Sequence, residues 1–305
     1  MTNTLSALSS IPIVLTIAGS DSGGAAGIQA DIKAISATGS YACSAITAIT
    51  SQNTLGVTAI LPIAIEHIAS QLDAIFSDFT VAAVKIGMLA DSQIIHIVAE
   101  KLRHYQPKII VLDPVMVATS GDALLAEQAV NDLKQQLLPL ATVITPNLPE
   151  AVVLTGCPMP KHDQQLDEII TALQALPSQA VLLKGGHFTA SANSHDWLIC
   201  GSRVTCFSGR RIHTSNTHGT GCTLSAALAS YLAQGLSLEQ AVTRAKHYIS
   251  QAILHADQLQ VGKGHGPVHH FYALQGKIHT EQKKIETGYR NRFQLSKKRS
   301  RLVTD

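Results

Sequence analysis

A cysteine follows a glycine pair at the start of a helix-like stretch, in the segment HGTGC. Gly219, Thr220 and Gly221 would present successive backbone N–H groups at a helix N-terminus, where the helix dipole also favours negative charge. A phosphoryl group in transfer is a natural guest there, although an ordinary glycine-containing helix start has the same letters. A thiol at this position, Cys222, is expected to have a lowered pKa and to serve as a base or nucleophile. The alternative is a small apolar cysteine in the core.

Two segments carry oxygen ligands of the kind that Mg²⁺ prefers. Asp113 follows the apolar run KIIVL directly, where it could help to hold Mg²⁺ itself or through water, or could end the strand as a turn residue. In TPNLPE, Asn147 and Glu150 are three residues apart at a helix start, so both can face one site. A helix cap with a capping box has the same spacing.

A lysine and two glycines end another apolar run, LLKGGH. Lys184 could lie near nucleotide phosphates, with the backbone of Gly185 and Gly186 close by; a plain turn is equally consistent with these letters. No GxxxxGK[ST] segment occurs, so a nucleotide site here is not a P-loop.

Several polar residues near the N-terminal half could contact a small molecule. The glycine-rich turn GSDSGGAAG leads into a helix containing Asp31, which could accept a hydrogen bond from a substrate or lie on a solvated helix face. Gln52 offers an amide donor and acceptor that match the edge of an aminopyrimidine, or is a turn residue. Met88, in KIGML, is either core or a flexible apolar wall for a flat ring.

Short β-branched runs alternate with longer segments of helical periodicity, which predicts βαβ units around a mostly parallel sheet. The predicted parallel strands are IPIVLTIAG, CSAITAIT, VAAVKIG, KIIVLD, TVITP and QAVLLKGGH. The runs DWLIC and VTCFSG predict an antiparallel hairpin, and two helices then close the body. The polar clusters fall where the predicted strands end, and the carboxyl ends of parallel strands share one edge of a sheet. We therefore expect one α/β domain with its site at that edge.

Composition and charge limit the class of protein. The 305 residues are 46% hydrophobic and 14% charged, which is enough to bury a large core. Five cysteines without a CxxC pair, no signal-peptide pattern and no membrane-length apolar run predict a soluble cytoplasmic protein. Residues 276–305 hold nine Lys/Arg against three Asp/Glu, but stacking aromatics are few, so a frayed tail is expected rather than a nucleic-acid site.

Eight blocks together resemble the hydroxymethylpyrimidine/phosphomethylpyrimidine kinases of the thiamine pathway, a family of the ribokinase-like superfamily. They occur in order between about residue 11 and about residue 273: IAGSDSGGAAGIQAD, SQNTLGV, KIGML, LDPVM, ITPNLPEA, LLKGGH, NTHGTGCTLSAALA and VGKGHGPVHHF. The resemblance implies a three-layer α/β/α kinase domain over residues 11–273, with an N-terminal extension, 1–10, and a basic, flexible tail, 274–305. It implies phosphorylation of 4-amino-5-hydroxymethyl-2-methylpyrimidine with MgATP, and then of the resulting monophosphate.

The resemblance also assigns roles by position. Gly219, Thr220 and Gly221 would form the anion hole, and Cys222 stands where sugar kinases of the superfamily have a base aspartate. The pyrimidine pocket would contain Gly19, Asp31, Gln52, Met88 and Val115. Mg²⁺ and the phosphates would be organised by Asp113, Asn147 and Glu150, and ATP would lie along Lys184, Gly185 and Gly186. The resemblance implies a homodimer. We expect no nucleic-acid or membrane partner. A monovalent cation could serve as a further cofactor.

The sequence departs from the family pattern at two places, and two alternative functions stay open. The turn reads SGGAAG where many relatives have one more glycine, and residues 274–305 lie beyond the usual end of such enzymes. A pyridoxal/pyridoxine kinase of the same superfamily would differ in the ring and not in the reaction. A non-catalytic pyrimidine or nucleotide sensor would keep the fold without turnover.

Overall fold

A computed structural model describes residues 10–116, 127–188 and 193–274. The chain divides into two compact units, Met1–His270 and Phe271–Asp305. Of the second unit the structure describes residues 271–274, where the Leu274 N–H donates to the Phe271 carbonyl at 2.9 Å. Residues 1–9 of the expected extension and the tail from residue 275 therefore lie outside the described residues.

Nine strands within the described residues form one mixed sheet. They are β1 Ile13–Asp21, β2 Tyr41–Asn53, β3 Gly56–Pro62, β4 Val81–Ile86, β5 Ile110–Leu112, β6 Val143–Ile144, β7 Val181–Lys184, β8 Asn193–Cys200 and β9 Arg203–Arg210. Their order is β3-β2-β1-β4-β5-β6-β7-β8-β9. Strands β2, β1, β4, β5, β6 and β7 pair in parallel, and β3, β8 and β9 pair antiparallel. The predicted parallel core and the predicted hairpin are both confirmed.

Helices cover both faces of this sheet. They are α1 Gly27–Ala37, α2 Ile65–Asp78, α3 Ser92–Tyr105, α4 Glu127–Asp132, α5 Leu148–Thr155, α6 Asp163–Gln174, α7 Thr220–Ala233 and α8 Leu238–Leu254. Helix α7 packs against α1, α8 and the central strands, and helices α2–α6 all contribute to one apolar core on the opposite face. The chain is thus a three-layer α/β/α protein.

Alternate residues of the central strands face the two helical layers. In β4, Val84 and Ile86 belong to the main apolar core with α2–α6, whereas Ala83 and Lys85 lie outside that cluster. Helix α7 is buried almost all round, because its small side chains let it lie close to the sheet and to both neighbouring helices. The start of α7 is therefore held firmly above the strand ends.

Two predictions of secondary structure needed correction. Strand β3 was not predicted; it is an exposed edge strand that follows the turn after Asn53, and most of its side chains face solvent. The segment ALLAEQAVNDLKQQLL, residues 123–138, predicts one helix by its periodicity. Residues 123–126 lie outside the described residues, and the chain then changes from α4 to a π turn, Leu133–Leu137, and a 3₁₀ turn, Leu138–Leu140. Pro139 explains the ending, because proline has no N–H to donate to the preceding turn.

In the described part of the chain, no helix combines the length and the apolar character that crossing a bilayer requires.

Candidate active site

The predicted site residues follow parallel strands, and the structure places them at one edge of the sheet. Gly19 lies near the end of β1 and Gln52 near the end of β2, while Met88 follows β4 by two residues. Asp113 directly follows β5, and Lys184 is the last residue of β7. The expectation of a single edge is confirmed.

Helix α7 begins at this edge with a glycine that no other residue could replace without strain. Gly219 has φ +80°, and a Cβ there would fall on the carbonyl oxygen of Ala25. The Thr220 N–H is 3.3 Å from the Thr217 carbonyl, and the Thr220 hydroxyl donates to the same oxygen at 2.7 Å. Because the first N–H groups of a helix have no acceptor within it, those of Gly221 and Cys222 are best placed to receive an anion.

The glycine-rich turn after β1 is held against this helix start by Asp21. Its carboxylate accepts hydrogen bonds from the backbone N–H groups of Gly23, Ala25 and Ala26 at 2.8–3.0 Å. Burial alone would raise the pKa of Asp21, but the neighbouring His218 and the hydrogen bonds from these N–H groups outweigh it and lower the pKa. An ionised Asp21 thus fixes the turn that packs on Gly219.

Cys222 does not have the lowered pKa that its position at a helix start predicted. Its side chain is half-buried, and its sulfur accepts the backbone N–H of Gly27. Burial raises its pKa to about 11; Lys85 and the Gly27 N–H act against this, but the nearby carboxylates Asp31 and Asp113 reinforce it. The predicted lowering of the Cys222 pKa was wrong, because removal from water and two negative neighbours outweigh the favourable groups. At neutral pH the group is a thiol.

A fully buried ion pair lies close to Cys222. Asp31 and Lys85 both have 0% side-chain exposure, and their Oδ2 and Nζ atoms are 2.8 Å apart. The Thr16 hydroxyl donates to the same Oδ2 at 2.6 Å, whereas Oδ1 of Asp31 is buried without a hydrogen-bond partner in the described part of the chain. Asp31 raises the pKa of Lys85 against the effect of burial. The alternative of a solvated helix face for Asp31 is therefore wrong.

The remaining residues of the predicted pyrimidine pocket make two separate sets of contacts. Gly19 contacts Met88 so closely that a Cβ on Gly19 would be 2.8 Å from the Met88 Cε. The Gln52 Nε2 atom is 3.0 Å from Nε2 of His218, which directly precedes Gly219. Val115 is half-buried two residues beyond Asp113. The structure thus brings Gly19 and Met88 into contact and joins Gln52 to the helix start through His218.

A second charged group lies on the other side of the α7 start. Lys184 Nζ is 2.7 Å from Oδ1 of Asp113 and 4.0 Å from Oε2 of Glu150. This group lies close to the predicted anion hole, because a Cβ on Gly221 would be 3.3 Å from the Lys184 Nζ and 3.5 Å from Oδ2 of Asp113. The Lys184 ammonium and the Asp113 carboxylate therefore lie beside the first N–H groups of α7.

The two carboxylates of this group differ in proton affinity. Burial would raise the pKa of Asp113, but Lys184 and Lys85 outweigh it and lower the pKa. Burial raises the pKa of Glu150 to about 7, with Lys184 opposing and Asp113 reinforcing the shift. Asn147 and Glu150 also form the capping box that was the alternative for their spacing, with hydrogen bonds of 2.7 and 2.9 Å. The cap and the contact with Lys184 exist together.

Gly185 and Gly186 follow Lys184 in different environments. Gly185 is buried against β8, where a Cβ would fall on the His195 carbonyl, and its N–H donates to Asp196 at 3.0 Å. Gly186 is exposed, with open space where a Cβ would be. Only Gly186 of the two therefore offers open backbone to a ligand.

Three residues of the site were missed by sequence reasoning. Asp21 and His218 stand inside the sequence motifs, but the contact between them, 3.5 Å from Nε2 to Oδ2, joins residues that are far apart in sequence. Lys85 had a usable signal, since a lysine in the middle of the apolar run VAAVKIG must be paired if it is buried.

The architecture and this site define a kinase of the ribokinase-like class. A Bacillus subtilis pyridoxal kinase, solved as an ADP complex, superimposes with a TM-score of 0.79 at 37% identity, covering 86% of this chain and 98% of that chain. The phosphomethylpyrimidine kinase of Clostridium difficile gives 0.70 at 42% identity, covering 79% and 99%.

Sequence comparison identifies the family within that class. The hydroxymethylpyrimidine/phosphomethylpyrimidine kinase of Salmonella typhimurium is 49% identical over 259 residues, which cover 85% of this chain and 97% of that protein. The sequence model described as phosphomethylpyrimidine kinase matches residues 21–269. The chain belongs to the phosphomethylpyrimidine kinase family, as its sequence motifs predicted.

Proposed function

We propose that this protein transfers the γ-phosphoryl group of ATP to the hydroxymethyl oxygen of 4-amino-5-hydroxymethyl-2-methylpyrimidine, and then phosphorylates the product again to the diphosphate. The observation that carries the proposal is the α7 start, where Gly221 lies beside Lys184 and Asp113 while Cys222 lies beside the Asp31–Lys85 pair. A phosphate donor and a hydroxyl acceptor can meet there.

In the transfer, the hydroxymethyl oxygen forms a bond to the γ-phosphorus, the bond to the β,γ-bridging oxygen breaks, and ADP leaves. The hydroxyl proton passes to an oxygen of the transferred phosphoryl group and from there to solvent. The N–H groups of Gly221 and Cys222 would stabilise charge on the transferring group, with Gly219 and Thr220 shaping the turn. Such transfers depend mainly on positioning and charge neutralisation. We propose that the Cys222 sulfur accepts the hydrogen bond of the hydroxyl and orients it, since a thiol with a pKa of about 11 is a weak source of thiolate at neutral pH.

The pyrimidine would bind over the Asp31–Lys85 pair. Oδ1 of Asp31 has no hydrogen-bond donor in the described part of the chain but is fully buried, so the exocyclic amino group of the ring would reach it only if the pocket opens on binding. Gln52 offers a second polar contact, and Gly19, Met88 and Val115 would form apolar walls.

Mg²⁺ would enter this site as part of the MgATP substrate. The described residues contain no cluster of three or more His, Cys, Asp and Glu side chains that could hold a metal. Asp113 and Glu150 fit a metal that keeps its phosphate and water ligands, because Mg²⁺ typically takes one or two carboxylates in such sites. Asn147 would act through the cap that holds Glu150, while Lys184 and the Gly186 backbone would contact phosphate oxygens. The Gly185 N–H is already bonded to Asp196, so the predicted contact of Gly185 with ATP is left out of this proposal. A monovalent cation as activator is testable by comparing K⁺ with Na⁺.

We further propose a homodimer located in the cytoplasm. The β2–β3 ribbon at the sheet edge exposes Tyr41, Ile49 and Leu61, and Ile49 and Leu61 are cross-strand partners. A second copy would cover this apolar edge. The five cysteines are free, which is typical of a reducing compartment. Light scattering gives the mass in solution, and a monomer would contradict the dimer.

The proposed reaction is tested by product analysis. The protein is incubated with MgATP and one acceptor at a time: the hydroxymethylpyrimidine, its monophosphate, or pyridoxine. We expect the pyrimidine monophosphate and diphosphate by mass spectrometry. Phosphorylation of pyridoxine alone would favour the pyridoxal kinase alternative, and pyrimidine binding without turnover would favour a sensor.

A further inference from the structure

The glycine-rich loop of residues 261–267, VGKGHGP, binds the tip of the β2–β3 turn. Thr54 lies at this tip, and its hydroxyl oxygen accepts hydrogen bonds from the backbone N–H groups of Lys263 and Gly264, both at 3.1 Å. The Thr54 carbonyl accepts the His265 N–H at 2.9 Å. Three consecutive N–H groups of the loop therefore hold one residue of the turn.

The glycines of the loop are required by the closeness of this contact. A Cβ on Gly264 would fall on the carbonyl oxygen of Thr54, and a Cβ on Gly262 would fall on its side chain. The loop backbone thus packs directly on Thr54, and no side chain fits between them.

The other end of the loop is bound to the segment that leads into the anion hole. The Gly266 N–H donates to Oδ1 of Asn216 at 3.1 Å, and the Gly266 carbonyl accepts the His218 N–H at 3.1 Å. Asn216 is itself oriented by Asp257, to which its Nδ2 donates at 2.7 Å. Asn216 and His218 stand three residues and one residue before Gly219.

A contact between Gln52 and His218 closes a ring. Gln52, two residues before Thr54, meets His218 side chain to side chain at 3.0 Å. The path from Gln52 through Thr54, the loop and the segment before Gly219 therefore returns to Gln52. Because β3 lies at the exposed edge of the sheet, the loop supplies an anchor that the edge strand itself lacks.

We propose that loop 261–267 ties the β2–β3 turn to the anion-hole segment and thereby sets the position of the pyrimidine relative to the transferring phosphoryl group. Thr54, Gly264 and Asn216 are positioning residues in this proposal, which rests on the proposed function. Transfer needs the reacting atoms at roughly 3–3.5 Å in a fixed orientation, and a displacement of about 1 Å is costly. A rigid link between the acceptor-binding turn and the anion hole meets that need.

The test replaces one acceptor atom and keeps the side-chain shape. Thr54→Val removes the hydroxyl oxygen that accepts two N–H groups, and Thr54→Ser keeps it. Thr58→Val is the matched control, because the Thr58 hydroxyl is on the same ribbon and donates to the Ser51 carbonyl at 3.0 Å without contacting the loop. Gly264→Ala disrupts the same contact from the loop side, because the new Cβ would overlap the Thr54 carbonyl oxygen.

We expect Thr54→Val to raise the KM for the pyrimidine about tenfold, as the loss of two ordinary hydrogen bonds would. The KM for ATP should change less than about twofold, because Lys184 and the residues proposed to contact ATP are not part of the ring of contacts. Thr54→Ser and Thr58→Val should remain close to the parent protein, and Gly264→Ala should resemble Thr54→Val. Hydrogen exchange of residues 51–57 should become faster in Thr54→Val and Gly264→Ala only.

Equal exchange and equal pyrimidine KM in Thr54→Val and Thr58→Val would overturn the proposal. An equal rise of both KM values in Thr54→Val would also overturn it, since that indicates general loosening. Hydrogen exchange needs no turnover, so it still tests the contact between loop 261–267 and Thr54 if the protein phosphorylates no pyrimidine. In that case the failure belongs to the proposed reaction.

Discussion

Gly219→Ala is the substitution whose effect can be worked out most fully from the geometry. Alanine at φ +80° costs about 1–2 kcal/mol in backbone strain. The new Cβ would also overlap the Ala25 carbonyl oxygen, so either the glycine-rich turn or the start of α7 must move. Both carry proposed parts of the site, and no flexible side chain is available to absorb the displacement.

That displacement moves the N–H groups of Gly221 and Cys222 away from the transferring phosphoryl group. Loss of one well-placed donor at such a site costs on the order of 10²–10³ in kcat. We therefore expect kcat for the pyrimidine to fall at least about 100-fold in Gly219→Ala, measured as ADP release at saturating substrate.

Gly235→Ala is a matched control at the other end of the same helix. Gly235 has φ +84°, and nothing lies within 4 Å of the position of its Cβ. It therefore carries the backbone strain without the overlap. Urea unfolding should show a loss of about 1 kcal/mol or somewhat more for the control, with kcat unchanged. If Gly219→Ala retains kcat within about threefold of Gly235→Ala, the anion-hole reasoning is wrong.

Three further predictions concern the titratable groups of the site. Glu150 has a folded pKa of about 7 against its ordinary 4.5, so the folded protein binds more protons between these values. Its stability should fall as pH rises through that window, and urea unfolding of Glu150→Gln should lose this part of the slope. Alkylation of Cys222 by iodoacetamide, followed by mass spectrometry, should accelerate about tenfold per pH unit from 7 to 10; a plateau below pH 8.5 would contradict the raised pKa. Lys85→Met should destabilise the protein by about 3–5 kcal/mol by leaving the Asp31 carboxylate buried without its cation, and adding Asp31→Asn should recover part of the loss in thermal unfolding.

The sheet and the location of the site could be predicted because both depend on local patterns. Buried parallel strands are near-continuous apolar runs, and β1 and β7 fit this description. Once the strands are parallel, residues that end them must share an edge, which is why Asp113 and Lys184 could be brought together without a structure. The residue types and their spacing left the roles of these side chains open, and the family resemblance supplied the predicted roles.

The electrostatics of the site could not be predicted in the same way. Asp31 lies in α1 and Lys85 in β4, and only the folded chain shows that they pair out of contact with water. The thiol of Cys222 was judged from its helix position, whereas burial and two carboxylates decide its pKa. The ring through Thr54 and loop 261–267 joins residues about 210 positions apart, a separation that no periodicity reveals.

The central claim is that phosphoryl transfer to the pyrimidine hydroxyl takes place beside Cys222 at the start of α7. The most direct measurement is kcat for the hydroxymethylpyrimidine with MgATP in the parent protein, in Cys222→Ala and in Cys200→Ala, together with the Kd of the pyrimidine. Cys200 is also half-buried, but it lies on β8. The account predicts a fall of about 100-fold or more in kcat for Cys222→Ala alone, with the Kd changed by less than about threefold. Equal kcat values in the two variants would contradict it.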